Sequence, residues 1–216
     1  MHTTDINKRK LFITGGLFAS VILIAFAIGA IAMGFSGRSE VRSSLKRENI
    51  AGTPDMNKSA IRDEIKQAGL KNVTGVPTCN VAGKSIDTGS EAKCFASYMR
   101  IHALEATGGK TYAEMPRYAT KDGKGTNNPK LALKDAKGQP VSNPTRELWV
   151  TETALSNALN TSFFAERVAL FSIIMGVALL LTGIGFLVVV SGVLWKAREA
   201  TGPDRAAHPS PLGSSA

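Results

Sequence analysis

Two stretches of this chain carry no charged residue: Leu11 to Phe35, 25 residues, and Val168 to Trp195, 28 residues. A hydrocarbon core about 30 Å thick takes about 20 helical residues to cross. Each run is therefore long enough to span it with some tilt. A buried helix of a soluble protein rarely stays apolar on every face for so long. The pattern divides the chain into an N-terminus (1–10), a first span (11–35), a polar middle segment (36–167), a second span (168–195) and a tail (196–216).

Within the middle segment the periodicity is helical rather than alternating. Ser36 to Ile50 has no glycine or proline after Gly37 and predicts an extension of the first helix. Gly52, Pro54 and Asp55 form a turn cluster. Ile61 and Ile65 predict a helix over 59–68, stopped by Gly69. Leu70 to Gly89 reads as a loop. A further helix begins with Ser90 as N-cap and Glu91 in its first turn. It places Phe95, Tyr98, Met99, His102 and Ala106 near helical spacing, and Gly108-Gly109 ends it. Thr111 and Glu114 fit a short capping box closed by Pro116. Thr120 to Pro144 is poor in bulky apolar residues and reads as a mobile loop with a small hairpin around Gly138. From Leu148 the helical period returns, and Leu155, Ala158, Leu159 and Phe163 form a stripe leading into the second span. The tail is short and rich in Pro, Ser, Gly and Ala, the composition of a disordered segment.

The charges set an orientation. Lys8, Arg9 and Lys10 precede the first span, and Lys196, Arg198 and Arg205 follow the second. Basic residues beside spans mark the cytoplasmic side, so both ends are expected inside and residues 36–167 outside. The middle segment is itself basic, with 20 Lys and Arg against 14 Asp and Glu. Long segments cross largely regardless of charge, so this does not reverse the reading. Its charges are scattered and weakly interleaved with aromatics, which reads as a solvated surface and excludes a nucleic-acid interface. The first run could alternatively be a cleaved signal peptide, with Ala30-Ile31-Ala32 as an A-x-A site. Its apolar length exceeds the usual 7–15 residues of a signal core, which favours a retained span.

The only two cysteines, Cys79 and Cys94, both lie in the middle segment. On the outer side of a membrane such a pair is expected to form a disulfide, stapling the loop to the following helix. The alternative is two reduced thiols in a cytoplasmic loop. A zinc site needs more ligands than two cysteines fifteen apart supply.

The search for chemistry is otherwise negative. Gly83-Lys84-Ser85 and Gly109-Lys110-Thr111 lack the earlier glycine of a phosphate loop, where Thr78 and Leu104 stand, so no nucleotide is expected. His102 has no second ligand one turn away and reads as a half-buried structural histidine; His2 and His208 lie at the ends. Asp63-Glu64 reads as a solvated face. The spans contain no ionisable residue for an ion pathway. They do contain small residues at helix-packing spacing. Gly176 and Gly183 are seven apart, as are Gly185 and Gly192, while Ser172 with Gly176 and Gly15 with Ala19 are small-xxx-small pairs.

The stretch Ile101 to Met115 (IHALEATGGKTYAEM), with its L-E-x-T-G-G-K-T-Y-x-E pattern, resembles a set of actinobacterial two-span membrane proteins. Leu148 to Phe186 also resembles their entry into the last span. The resemblance covers about a third of the chain and implies a bacterial envelope, two spans and no assigned activity. Some members are labelled aromatic-ring-opening dioxygenases, but the sequence offers no matching iron-ligand set.

The expectation is a mainly α membrane protein: two transmembrane helices flanking a small, mostly helical, disulfide-stapled extracytoplasmic domain in the bacterial plasma membrane. No catalytic residue, cofactor or metal is expected. The partners expected are other membrane subunits or a second copy, and membrane lipids. The leading function is a non-enzymatic accessory or structural subunit of a larger membrane assembly. The alternative is a self-standing envelope protein whose outer domain binds a ligand, lipid or wall component.

Overall fold

The computed structural model describes residues 2–199. It contains four helices: α1 (His2–Glu48), α2 (Lys58–Gln67), α3 (Gly89–Ala106) and α4 (Pro144–Glu199). Among the described residues there is no strand, only isolated β-bridges. The first run and its charged extension are one continuous helix, α1, and the second run with the segment before it is one continuous helix, α4. The tail expected to be disordered lies outside the described residues from Ala200 onward. The chain forms two compact units.

One unit pairs the apolar length of α1, up to Gly34, with that of α4, from Phe171. A Cβ on Gly176 would lie 2.6 Å from Ile31, one on Gly183 2.8 Å from Ile24, and one on Gly16 2.6 Å from Val190. Contacts that advance along α4 retreat along α1, so the pair is antiparallel. The buried positions Ser20, Ala27 and Gly34 on α1 and Gly176, Gly183 and Val190 on α4 recur every seven residues. That is the period of a helix–helix seam, and its small residues let the backbones approach closely. The remaining faces are apolar and bare: Phe18 is 68% exposed, Phe26 69%, Leu181 66% and Val188 66%. The core helix of a soluble protein would bury such residues. Both helices are long and apolar enough to cross a membrane, and their exposed faces are compatible with lipid contact.

The other unit, Phe35–Leu170, is built around α3. Its capping box is set by Thr88, not by Ser90 as the sequence suggested. The Glu91 backbone N–H donates to the Thr88 hydroxyl (3.2 Å), and the Thr88 N–H donates to the Glu91 carboxylate (3.0 Å). A Thr two residues before the expected start, three positions ahead of a Glu, completes the reciprocal pair that Ser90 cannot form. At the other end Gly108 and Gly109 take positive φ, and the Gly109 N–H donates to the Leu104 carbonyl at 2.7 Å. The helix buries Ala92, Cys94, Ala96, Tyr98, Ile101, Ala103 and Leu104 against Leu45 of α1, Ile61 of α2, and Trp149 and Leu159 of α4. Of the expected stripe Leu155, Ala158, Leu159 and Phe163, only Leu159 is buried; Phe163 is half-buried and the other two are exposed.

The Cys79–Cys94 disulfide is formed. Closing a loop of that size contributes about 3 kcal/mol in the chain-entropy model. One turn further along α3, the buried Tyr98 hydroxyl donates to the Cys79 carbonyl at 2.7 Å. Covalent bond and hydrogen bond thus fix the same loop to the same helix. Helix α4 begins earlier than expected, at Pro144, because Asn143 caps it by accepting from the Thr145 N–H (3.1 Å) and proline suits the first helical position. The segment between α3 and α4 is held by backbone hydrogen bonds, including a Tyr118–Thr126 bridge and a Lys134–Pro140 bridge that closes a small hairpin at Gly138. Only half of the expected Thr111–Glu114 capping box forms: the Thr111 N–H and hydroxyl donate to the Glu114 carboxylate, the Glu114 N–H donates to the Thr111 carbonyl, and the pair heads a turn and not a helix.

Candidate functional site

Three ionisable side chains from three separate pieces of chain meet beside α3. Asn57 caps α2 by accepting from the Ser59 and Ala60 N–H groups, which fixes where that helix starts. Ile61, fully buried, anchors α2 on α3, and Glu64 one turn later lies on the same face. Asp55 precedes the cap in a tight turn in which the Met56 N–H donates to Thr53 and the Asn57 N–H to Asp55. On α3, His102 lies one turn beyond the anchored Tyr98. The His102 Nε2 atom is 2.9 Å from Asp55 Oδ2 and 3.5 Å from Glu64 Oε2.

The geometry at Nε2 is unusual for an ion pair. The first oxygen is at hydrogen-bond distance, yet neither oxygen stands in hydrogen-bonding geometry to the ring nitrogen. Both His102 Nε2 and Glu64 Oε2 are shut off from solvent without a hydrogen-bond partner, although the three side chains remain between a quarter and a third exposed. The electrostatics are uneven. Burial opposes ionisation of Asp55, but contacts with Thr53, its own backbone N–H and His102 outweigh it, and its pKa is lowered. Burial, followed by the charge of Asp55, raises the pKa of Glu64 despite the opposing effect of His102. Exposed Glu105 adds to the rise.

His102 is therefore not solitary, and of the pair Asp63-Glu64 only Asp63 is a solvated face. The partners come from other elements at no fixed spacing, so no sequence motif announces them. One imidazole with two carboxylates is also not the two-histidine, one-carboxylate set of a non-haem iron oxygenase.

A second polar contact joins α1 to α4 inside the same unit. Arg38 donates to the largely buried Glu166 carboxylate at 3.3 Å. A Cβ on Gly89, the first residue of α3, would lie 2.7 Å from the Phe163 Cα and 2.9 Å from Glu166 Oε2. The carboxylate thus sits at the N-terminal end of α3, where a helix dipole favours negative charge. Lys93 and Arg167 flank the Phe163 ring, at 4.5 and 4.9 Å from its centroid.

The small residues of the spans fall into two groups. Gly176 and Gly183 face α1, and Ser172 on the same helix is half-buried. Nothing lies within 4 Å of the positions a Cβ would take on Gly15, Gly185 or Gly192. Gly15, Ala19 and Gly185 line an open apolar groove of about 630 Å³ with Leu11 and Phe186, bordered by the seam residues Gly16 and Val190. In the other unit, Leu45, Phe95, Met99, Leu155 and Leu159 line a second apolar cavity of about 510 Å³.

No protein-family model, no curated protein and no solved structure matches this chain.

Proposed function

We propose that this protein is a non-enzymatic accessory or structural subunit of a larger bacterial membrane assembly. It crosses the plasma membrane twice, keeps both ends in the cytoplasm and presents residues 36–167 outside. The observation that carries this reading is the groove floored by Gly15, Ala19 and Gly185. The seam between α1 and α4 is built on Ser20, Ala27, Gly34, Gly176 and Gly183; Gly15, Ala19 and Gly185 lie beside it, in a groove that borders the seam at Gly16 and Val190. In lipid, helix association rests on close van der Waals packing over small residues. This reading assigns the groove to a further transmembrane helix, whose backbone could approach Gly15, Ala19 and Gly185 closely. Lipids cover the remaining apolar surface. The disulfide agrees with an oxidising, extracytoplasmic location for the middle segment.

Gentle extraction of a tagged, chromosomally expressed copy, followed by native gel and mass spectrometry, tests the reading. Co-migration with a defined set of membrane proteins at fixed stoichiometry supports it, and migration as a lone monomer contradicts it.

A second reading, a self-standing envelope protein whose outer domain binds an apolar ligand, is favoured by the cavity between Leu45, Phe95, Met99 and Leu155. Its polar rim is supplied by Ser44, Glu48 and Ser162. Recovery of the protein alone with a stoichiometric lipid would favour that reading.

A further inference from the structure

We propose that Asp55, Glu64 and His102 form a binding site for a divalent transition-metal ion of the zinc class. The ion would join the turn after α1 to α2 and α3. The inference is independent of the assembly reading and rests on the geometry of the three side chains.

A tetrahedral zinc ion with ligands at about 2.0–2.1 Å holds those ligand atoms about 3.3 Å apart. The distances from His102 Nε2 to the two carboxylate oxygens, 2.9 and 3.5 Å, bracket that spacing. All three ligand atoms lie within 4.8 Å of one another. Hydrogen bonding does not account for the arrangement as well. A ring N–H has one direction and could serve one of the two oxygens, yet neither has hydrogen-bonding geometry to it. A cation placed between the three atoms would face the nitrogen and both oxygens at once. The orphaned Glu64 Oε2 and His102 Nε2 would both gain a partner there.

The donor set selects the ion class. An imidazole nitrogen suits zinc and its transition-metal neighbours, whereas calcium takes six to eight oxygens and magnesium an octahedral shell of oxygens. Three protein ligands leave a fourth tetrahedral position for water, and the partial exposure of the side chains provides its entry. The site has the frame such ligands need: Tyr98, hydrogen-bonded to Cys79, fixes α3 one turn before His102, and the Asn57 cap with buried Ile61 fixes α2 before Glu64. An ion bound to three elements in the folded state alone raises stability by mass action.

The test uses the full chain in detergent, stripped with a chelator. His2 and His208 are replaced by alanine so that no terminal imidazole competes. ZnCl2 is titrated by calorimetry and by thermal melting. The expected result is saturable binding of one zinc per chain and an upward shift of the melt of several degrees that chelator reverses. Asp55→Asn and His102→Gln, with helicity and disulfide intact, should each weaken binding at least about tenfold. Co2+ added to the parent chain gives a readout that does not depend on variants: intense visible bands mark a tetrahedral site. Absence of saturable zinc binding, binding undiminished in folded His102→Gln, a preference for Ca2+ over Zn2+, or Co2+ without tetrahedral bands would each overturn the assignment.

Discussion

Tyr98 shows how much one residue carries in this protein. It is fully buried, it packs in the core around α3, and its hydroxyl is the non-covalent half of the clamp on the Cys79 loop. Burial disfavours the phenolate and raises its pKa above the ordinary value of about 10. A group whose folded pKa is raised contributes stability that is fully present below the unfolded pKa. That contribution is lost as pH rises through the folded value. The melting temperature of the oxidised protein should therefore fall as pH rises above about 10. Tyr98→Phe should lose about 1 kcal/mol at neutral pH, the worth of an ordinary hydrogen bond, and should flatten the alkaline limb. Thermal melts of both proteins from neutral to alkaline pH check this, and an unchanged alkaline slope in the variant would contradict it. The role of Tyr98 was only half legible. Its place on a helix follows from spacing, but the Cys79 carbonyl it bonds lies nineteen residues away in a loop without periodicity. The same holds for His102. Its helix could be read from the chain; Asp55 and Glu64 could be joined to it only by folding.

Between elements, the tightest passage is where α3 starts against α4. Gly89 leaves no space for a side chain: an added Cβ would meet the Phe163 and Ser162 backbone as well as the Glu166 carboxylate. Backbone cannot move aside as a flexible side chain can. Gly89→Ala should therefore destabilise the Phe35–Leu170 unit by about 1–3 kcal/mol, the usual cost of overpacking. Gly69→Ala, where only a positive φ is at stake and nothing lies within 4 Å, should cost less. Denaturant titration of the two variants side by side checks the ordering; equal midpoints would contradict it. Helices α1 and α4 were legible because long uncharged runs have few other readings. Their ends were less so. The start of α4 lies in Asn143-Pro144, a cap followed by a preferred first residue, which the return of apolar period at Leu148 obscured. The start of α3 lies in Thr88-x-x-Glu91, a capping box visible in the chain once its threonine is placed two residues earlier than Ser90.

For the molecule as a whole, the two units answer different demands. The unit built from the two apolar runs has a bare, mostly apolar surface, without charge along the runs, around a seam of small residues, which suits lipid and neighbouring helices. The other unit has its own buried core, a disulfide and hydrogen-bonded turns, which suits water. The two long apolar helices were legible in the sequence, because they depend on length and charge alone. Which small residues join the chain to itself and which face outward is a matter of helix rotation, and that required coordinates. The distinction also supplies the most direct test of the assembly reading. Gly15→Leu with Gly185→Leu would fill the groove while leaving the seam residues Ser20, Ala27, Gly176 and Gly183 unchanged, and nothing lies within 4 Å of the Cβ added at either position. The measurement is native-gel mass spectrometry of this variant beside the wild type, both expressed from the chromosome. The account predicts that the variant inserts normally and keeps its disulfide, but no longer migrates with the partner proteins that accompany the wild type. A variant that still migrates with the same partners at the same stoichiometry would contradict it.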